Sequence, residues 1–187
     1  MGNTRRLVFA GLFVAIGVTL PLAFHTIPNA GSVFLPMHIP VLLCGLICGP
    51  VYGMLCGLLA PLISSAVTGM PPAAMLPQML CELAVYGLVS GLLVRAVRTP
   101  YRSVNLYLSL VGAMLAGRLT YGALNALVFR AGAYTMELWL TAAFLTALPG
   151  IAAQLLFIPA IVLALEKAGL VRQESVLDRR AQQKDSV

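Results

Sequence analysis

The twelve lysines and arginines of this 187-residue chain are so unevenly placed that they constrain its architecture more than any other feature. Arg5 and Arg6 precede the first apolar run. Arg95, Arg98 and Arg102 cluster in mid-chain, and Lys167, Arg172, Arg179, Arg180 and Lys184 crowd the end. Ten of the twelve fall in these groups, Arg130 stands between two of them, and only Arg118 lies inside an apolar run. Short loops keep their basic residues on the cytoplasmic side of a membrane. An even number of spans between successive groups therefore places all three groups, and both termini, inside.

Composition excludes the alternative of a soluble domain. The chain is 60% hydrophobic and 10% charged, with a mean hydropathy of +0.94, whereas a soluble domain carries roughly 25% charged residues. The expected location is the cell membrane, in many passes. The net charge of +6 then reads as cytoplasmic flanks beside anionic lipid, with no nucleic-acid partner. Cys44, Cys48, Cys56 and Cys81 all lie in apolar segments without a zinc-ligand pattern, and are expected to be buried small hydrophobes. Arg5-Arg6 followed by Leu7–Phe24 imitates a secretory signal. No small-x-small cleavage site follows, so a retained first helix is expected.

A span needs about 20 apolar residues. Leu7–Phe24 is span 1. Val33–Cys48 is a short, irregular span 2, broken by Pro36, His38 and Pro40, and Gly49-Pro50 forces a tight turn after it. Val51–Val67 is span 3, with a kink expected at Pro61. An external loop over Thr68–Met75 leads to span 4, Leu76–Val94. Leu106–Phe129 is span 5, and Leu138–Leu165 is a long span 6, interrupted at Pro149-Gly150 and again at Pro159. The expected fold is an all-α membrane protein of six transmembrane helices. Residues 1–168 form one embedded domain, and 169–187 form a polar cytoplasmic tail.

Glycines recur every four residues at Gly45, Gly49, Gly53 and Gly57, which lets helix backbones approach closely in lipid. The string Val-Tyr-Gly-x-x-x-Gly-Leu-Leu occurs at Val51–Leu59 and again at Val85–Leu93. Spans 3 and 4 are therefore expected to share a packing face.

Ionisable groups inside a membrane are costly and mark functional sites by default. Gln78, Glu82 and Tyr86 are four residues apart and share one face of span 4. Arg118, Tyr121 and Asn125 share a face of span 5, and Gln154 lies in span 6. His25, Asn29, His38, Ser64, Ser65 and Trp139 fall at the external ends, where a histidine is usually solvated or caps a helix. Two readings stay open. Glu82 and Arg118 pair structurally, or these faces converge on a small-molecule pocket, mostly apolar with a few placed polar groups. No metallopeptidase, esterase, phosphate-loop or acidic lipid-phosphotransfer motif is present. Catalytic residues, cofactors and metal ligands are not expected, and the chain cannot power transport alone.

The opening "LVFAGLFVAIGV" after Arg5-Arg6, and "FLPMHIPVLLCGLICGPVYGMLCGLLAPLIS" after it, resemble the substrate-binding S components of energy-coupling factor (ECF) vitamin transporters. The most specific element is the Gly-x-x-x-Gly-Pro-x-x-Gly-x-x-x-Gly stretch from Gly45 to Gly57. Beyond Val94 the likeness lies mainly in hydropathy. The resemblance implies a non-catalytic subunit that binds a vitamin or related micronutrient from outside. It would deliver the ligand inward with a transmembrane coupling subunit and two ATPases. The converging-pocket reading of the polar faces draws the substrate site from Gln78, Glu82, Tyr86, Arg118, Tyr121, Asn125, Gln154 and His38, while the resemblance implies a pocket lid over His25–Met37, with the Thr68–Met75 loop flanking the pocket. The family's Ala-x-x-x-Ala coupling motif corresponds to Gly11 and Ala15. Two other classes compete: a stand-alone transporter with Glu82 as its proton-coupling carboxylate, and a scaffold protein without a ligand.

Overall fold

Long runs of Leu, Val, Ala and Gly with few charges satisfy their own backbone hydrogen bonds only as helices, and helices are what the chain forms. The computed structural model describes residues 2–23, 30–97, 99–129 and 134–171. His25, Asn29, Arg98, Arg130, the first part of the expected lid and the expected tail from Arg172 onward lie outside the described residues.

Eight α-helices follow in order: α1 Asn3–Ala23, α2 Ala30–Phe34, α3 His38–Cys48, α4 Pro50–Thr68, α5 Leu76–Ala96, α6 Arg102–Leu124, α7 Met136–Leu140 and α8 Leu148–Lys167. A π-turn, Asn125–Phe129, extends α6, and another, Thr141–Leu145, extends α7. Five stretches are long and apolar enough to cross a membrane: α1, Gly31–Cys48, α4, α5 and α8. At 23 residues α6 is longer than any of them, but Asn105 and Arg118 dilute its apolar character.

The irregular second span is real. It divides into α2 and α3 at Leu35, whose φ of 51° is left-handed, and Pro36 cannot supply the amide that would continue the first piece. Gly49 alone separates α3 from α4, at φ 106°, with Pro50 as the first residue of α4. That conformation suits glycine and is costly for other residues.

Two expectations need correction. Helix α8 runs unbroken through Pro159; the interruption lies earlier, at Thr146-Ala147, and Pro149 sits in the first turn of α8, where its missing N–H costs nothing. Helix α4 carries Pro61, the position of the expected kink, within a continuous helix. Cys81 is exposed while Cys44, Cys48 and Cys56 are buried, because Cys81 precedes Glu82 and so projects about 100° around α5 from the buried Gln78–Glu82–Tyr86 face.

Helix α3 is the centre of the bundle. Of the Gly31–Cys48 stretch 72% is buried, against 17% of α1, and α1, α4, α5 and α8 all pack on α3. The glycines explain how. A Cβ at Gly53 would collide with the Gly87 carbonyl and with Gly45 Cα, and one at Gly87 with Gly53. Backbones of α3, α4 and α5 therefore meet at one point. Farther along, Gly57 faces the Leu83 carbonyl and Gly91 faces Pro50. The repeated Val-Tyr-Gly string is thus the antiparallel crossing of α4 on α5. Outward, Leu7, Val8, Leu12, Leu59, Leu108, Leu119 and Leu156 are exposed, as suits lipid-facing surfaces.

Candidate functional site

Four-residue spacing on α5 turns Gln78, Glu82 and Tyr86 inward, and all three are buried. Opposite them α6 buries Arg118, and the first residue of α3 buries His38. Arg118 Nη1 donates to Glu82 Oε1 at 3.1 Å. His38 Nε2 lies 3.7 Å from the same oxygen. The His38 ring also meets the Tyr86 ring edge to face, with centroids 5.0 Å apart. Gly117 makes space for Tyr86, since a Cβ there would strike the ring. Residues from three helices therefore converge on one carboxylate.

The reading of His38 as a solvated or capping histidine at the outer boundary is overturned. Its exposure is 3%, because the break at Leu35 lets α3 begin inside the bundle. Glu82 and Arg118 do touch, as the pairing reading requires, but the pair does not use up the polar groups around it. Among the described residues His38 Nδ1 and Nε2, Gln78 Oε1, Arg118 Nε and Nη2, and Asn125 Oδ1 are buried without a hydrogen-bond partner. Asn125 spends its Nδ2 on the Tyr121 carbonyl one turn earlier, at 2.8 Å, and Tyr121 is half-buried. Gln154 is fully buried on α8 with neither amide atom bonded. Buried side-chain polar atoms are ordinarily satisfied, so this concentration is unusual.

Sequence reasoning placed Trp139 only at an external end. In the fold its indole Nε1 donates to the Arg118 carbonyl at 3.1 Å, its ring covers Gly122, and it meets Phe144 edge to face at 5.5 Å. Both π-turns flank this corner, and π-turns occur often at functional sites. A glycine one turn after a buried arginine was the signal available, but nothing in the sequence pairs Gly122 with Trp139. Ser64 and Ser65 donate to the carbonyls of Met70 and Pro71, each at 2.8 Å, and so tie the loop after α4 to its own helix.

Far from this cluster, Gly11 and Ala15 are exposed on α1, and nothing lies within 4 Å of a Cβ built at Gly11. Arg102 grips Glu166 through Nη2 at 2.5 Å and Nε at 3.1 Å, joining the start of α6 to the end of α8.

A family model described as "ECF transporter, substrate-specific component" matches residues 5–169, which takes in every helix from α1 to α8 apart from the first two residues. Comparison with curated proteins and with solved structures returned no match. The converging polar faces, the membrane-spanning helices and this match agree: the chain belongs to the substrate-specific components of ECF transporters, non-catalytic multi-pass proteins of the plasma membrane.

Proposed function

We propose that the chain binds a neutral, polar micronutrient of vitamin type at the cluster around Glu82 and Arg118. It takes the ligand from outside and passes it inward with a transmembrane coupling subunit and two ATPases. The observation that carries this reading is the imbalance of polar atoms. Arg118 Nε and Nη2 are surplus donors, while Gln78 Oε1 and Asn125 Oδ1 are surplus acceptors. Left unmet, each costs about 1–3 kcal/mol. A heterocycle carrying both acceptors and donors would meet both kinds. Because Glu82 already balances Arg118, such a ligand needs no net charge.

Topology supports the direction of transport. Arg5, Arg6, Arg95, Arg102 and Lys167 stand at the helix ends of one membrane face, which the retention of basic residues makes cytoplasmic. Both termini then lie inside, with six spans counting α6. Gly11 and Ala15 leave a shallow strip of small residues on the lipid-facing side of α1. Close backbone approach is what joins helices in lipid, so this strip suits a coupling-subunit helix.

The test is a screen of purified protein against a panel of vitamins and their precursors, read by thermal unfolding and native mass spectrometry. A ligand at a hundred times its dissociation constant adds about 2.7 kcal/mol. A folded protein that no panel member stabilises would refute the micronutrient reading. Uptake that persists without the ATPases would instead favour proton coupling through Glu82.

A further inference from the structure

A second polar feature lies at the opposite end of the bundle. Where α1 begins, α3 turns into α4 and α5 ends, a cavity of about 120 Å³ is lined by Arg6, Cys48, Gly49, Pro50, Tyr52 and Arg95. Neither guanidinium forms a hydrogen bond or an ion pair with another described residue. They differ in this from Arg102 and Arg118, each of which holds a glutamate. Arg95 lies against Gly49, and a Cβ at that residue would collide with its Nη2. The first turn of α4 opens on the same cavity, and the leading amides of a helix have no partner within it.

Arg6 is half-buried and Arg95 exposed, so the cavity is an open cleft; two like charges lining it, beside the positive end of a helix dipole, form a receptor for an anion. Guanidinium groups match phosphate oxygens with two parallel hydrogen bonds each. We propose that this cavity binds a phosphate mono- or diester group between Arg6 and Arg95, as a regulatory or anchoring site separate from the cluster at Glu82. An anionic phospholipid headgroup and a soluble phosphate share that chemistry.

The experiment uses the full chain in nanodiscs of phosphatidylcholine, with phosphatidylglycerol or inorganic phosphate as the added probe. A lipid source appears as phosphatidylglycerol retained in native mass spectra together with a raised unfolding midpoint. An aqueous source appears as the same rise with inorganic phosphate in phosphatidylcholine discs. Arg6→Gln with Arg95→Gln should weaken the effective probe about tenfold or more, the loss expected for one charge-assisted hydrogen bond. Arg5→Gln with Lys167→Gln removes equal charge from the same face and should leave probe binding nearly unchanged. Equal losses in the two double variants, or no response of the parent to either probe, would overturn the proposal. If the first variant fails to fold in phosphatidylcholine, Arg95→Lys decides. It keeps the charge and removes the fork, so unchanged binding would refute bidentate recognition.

Discussion

Glu82→Gln is the most informative perturbation of this protein. Among the described residues Glu82 is the carboxylate that meets Arg118, at 3.1 Å, and the two residues are 4% and 6% exposed. Removing one partner of a buried pair strands the other charge, at a cost of about 3–5 kcal/mol. A soluble domain of this length loses about 2–4 °C per kcal/mol, so the ligand-free midpoint should fall by about 6–20 °C. That loss alone fits either a structural or a binding role. A second variant separates them. Glu82→Leu with Arg118→Met removes both charges at once, and replacing a buried pair by apolar groups is often neutral or stabilising. Its ligand-free midpoint should therefore return to the parent value, while its ligand-induced rise should vanish. Thermal unfolding with and without the compound found in the panel measures both. A double variant that recovers stability and ligand binding together would refute the placement of the site at this pair.

Other consequences are equally direct. Gln154→Leu removes two unbonded amide atoms from a fully buried position, so ligand-free stability should rise by about 1–2 kcal/mol; a fall would mean the amide is satisfied in the membrane. The same variant should weaken ligand binding if Gln154 lines the site. A cysteine probe placed at the exposed Ala73 should be labelled from outside intact cells, and one at the exposed Ser103 should not; labelling at Ser103 would overturn the topology. Gly11→Leu with Ala15→Leu should leave ligand affinity near normal yet abolish ATP-driven uptake and co-purification with the coupling subunit, and normal uptake would show that α1 docks elsewhere. Gly87→Leu should prevent the α4–α5 crossing and leave little folded protein, measured by size-exclusion yield; a well-folded variant would contradict the backbone contact.

Much of this was readable in advance because membrane insertion leaves strong marks on sequence. Lipid excludes unpaired backbone groups and charges, so the apolar runs delimit α1, α4 and α5 to within a few residues. The turn at Gly49-Pro50 follows from two residues with restricted and permissive φ. On α5, the spacing of Gln78, Glu82 and Tyr86 fixes their common face, since helical period alone decides it. What escaped depends on long-range packing. His38 looked like a boundary residue because nothing local says that α3 starts deep in the bundle. Pro159 looked like a breaker, yet α8 accommodates it within a continuous helix. The contact of Trp139 with the Arg118 carbonyl joins residues twenty-one positions apart across a π-turn, and helix periodicity carries no information about such a partner.

The meeting of Gly45, Gly53 and Gly87 has a mechanical consequence. Side chains between helices act as deformable spacers, because they can change rotamer while the helices slide. Backbones in direct contact have no such compliance. Rocking α4 against α5 would first have to part them by a whole side-chain layer, and nothing in the bundle could fill the gap. The block formed by α3, α4 and α5 therefore resists sliding of its helices past one another. Helix α6 meets its neighbours differently, since the space at Gly112, Gly117 and Gly122 is taken by the side chains of Leu93, Tyr86 and Trp139, which can change rotamer. A molecule reaching Glu82 would meet one wall that is fixed and another that adjusts.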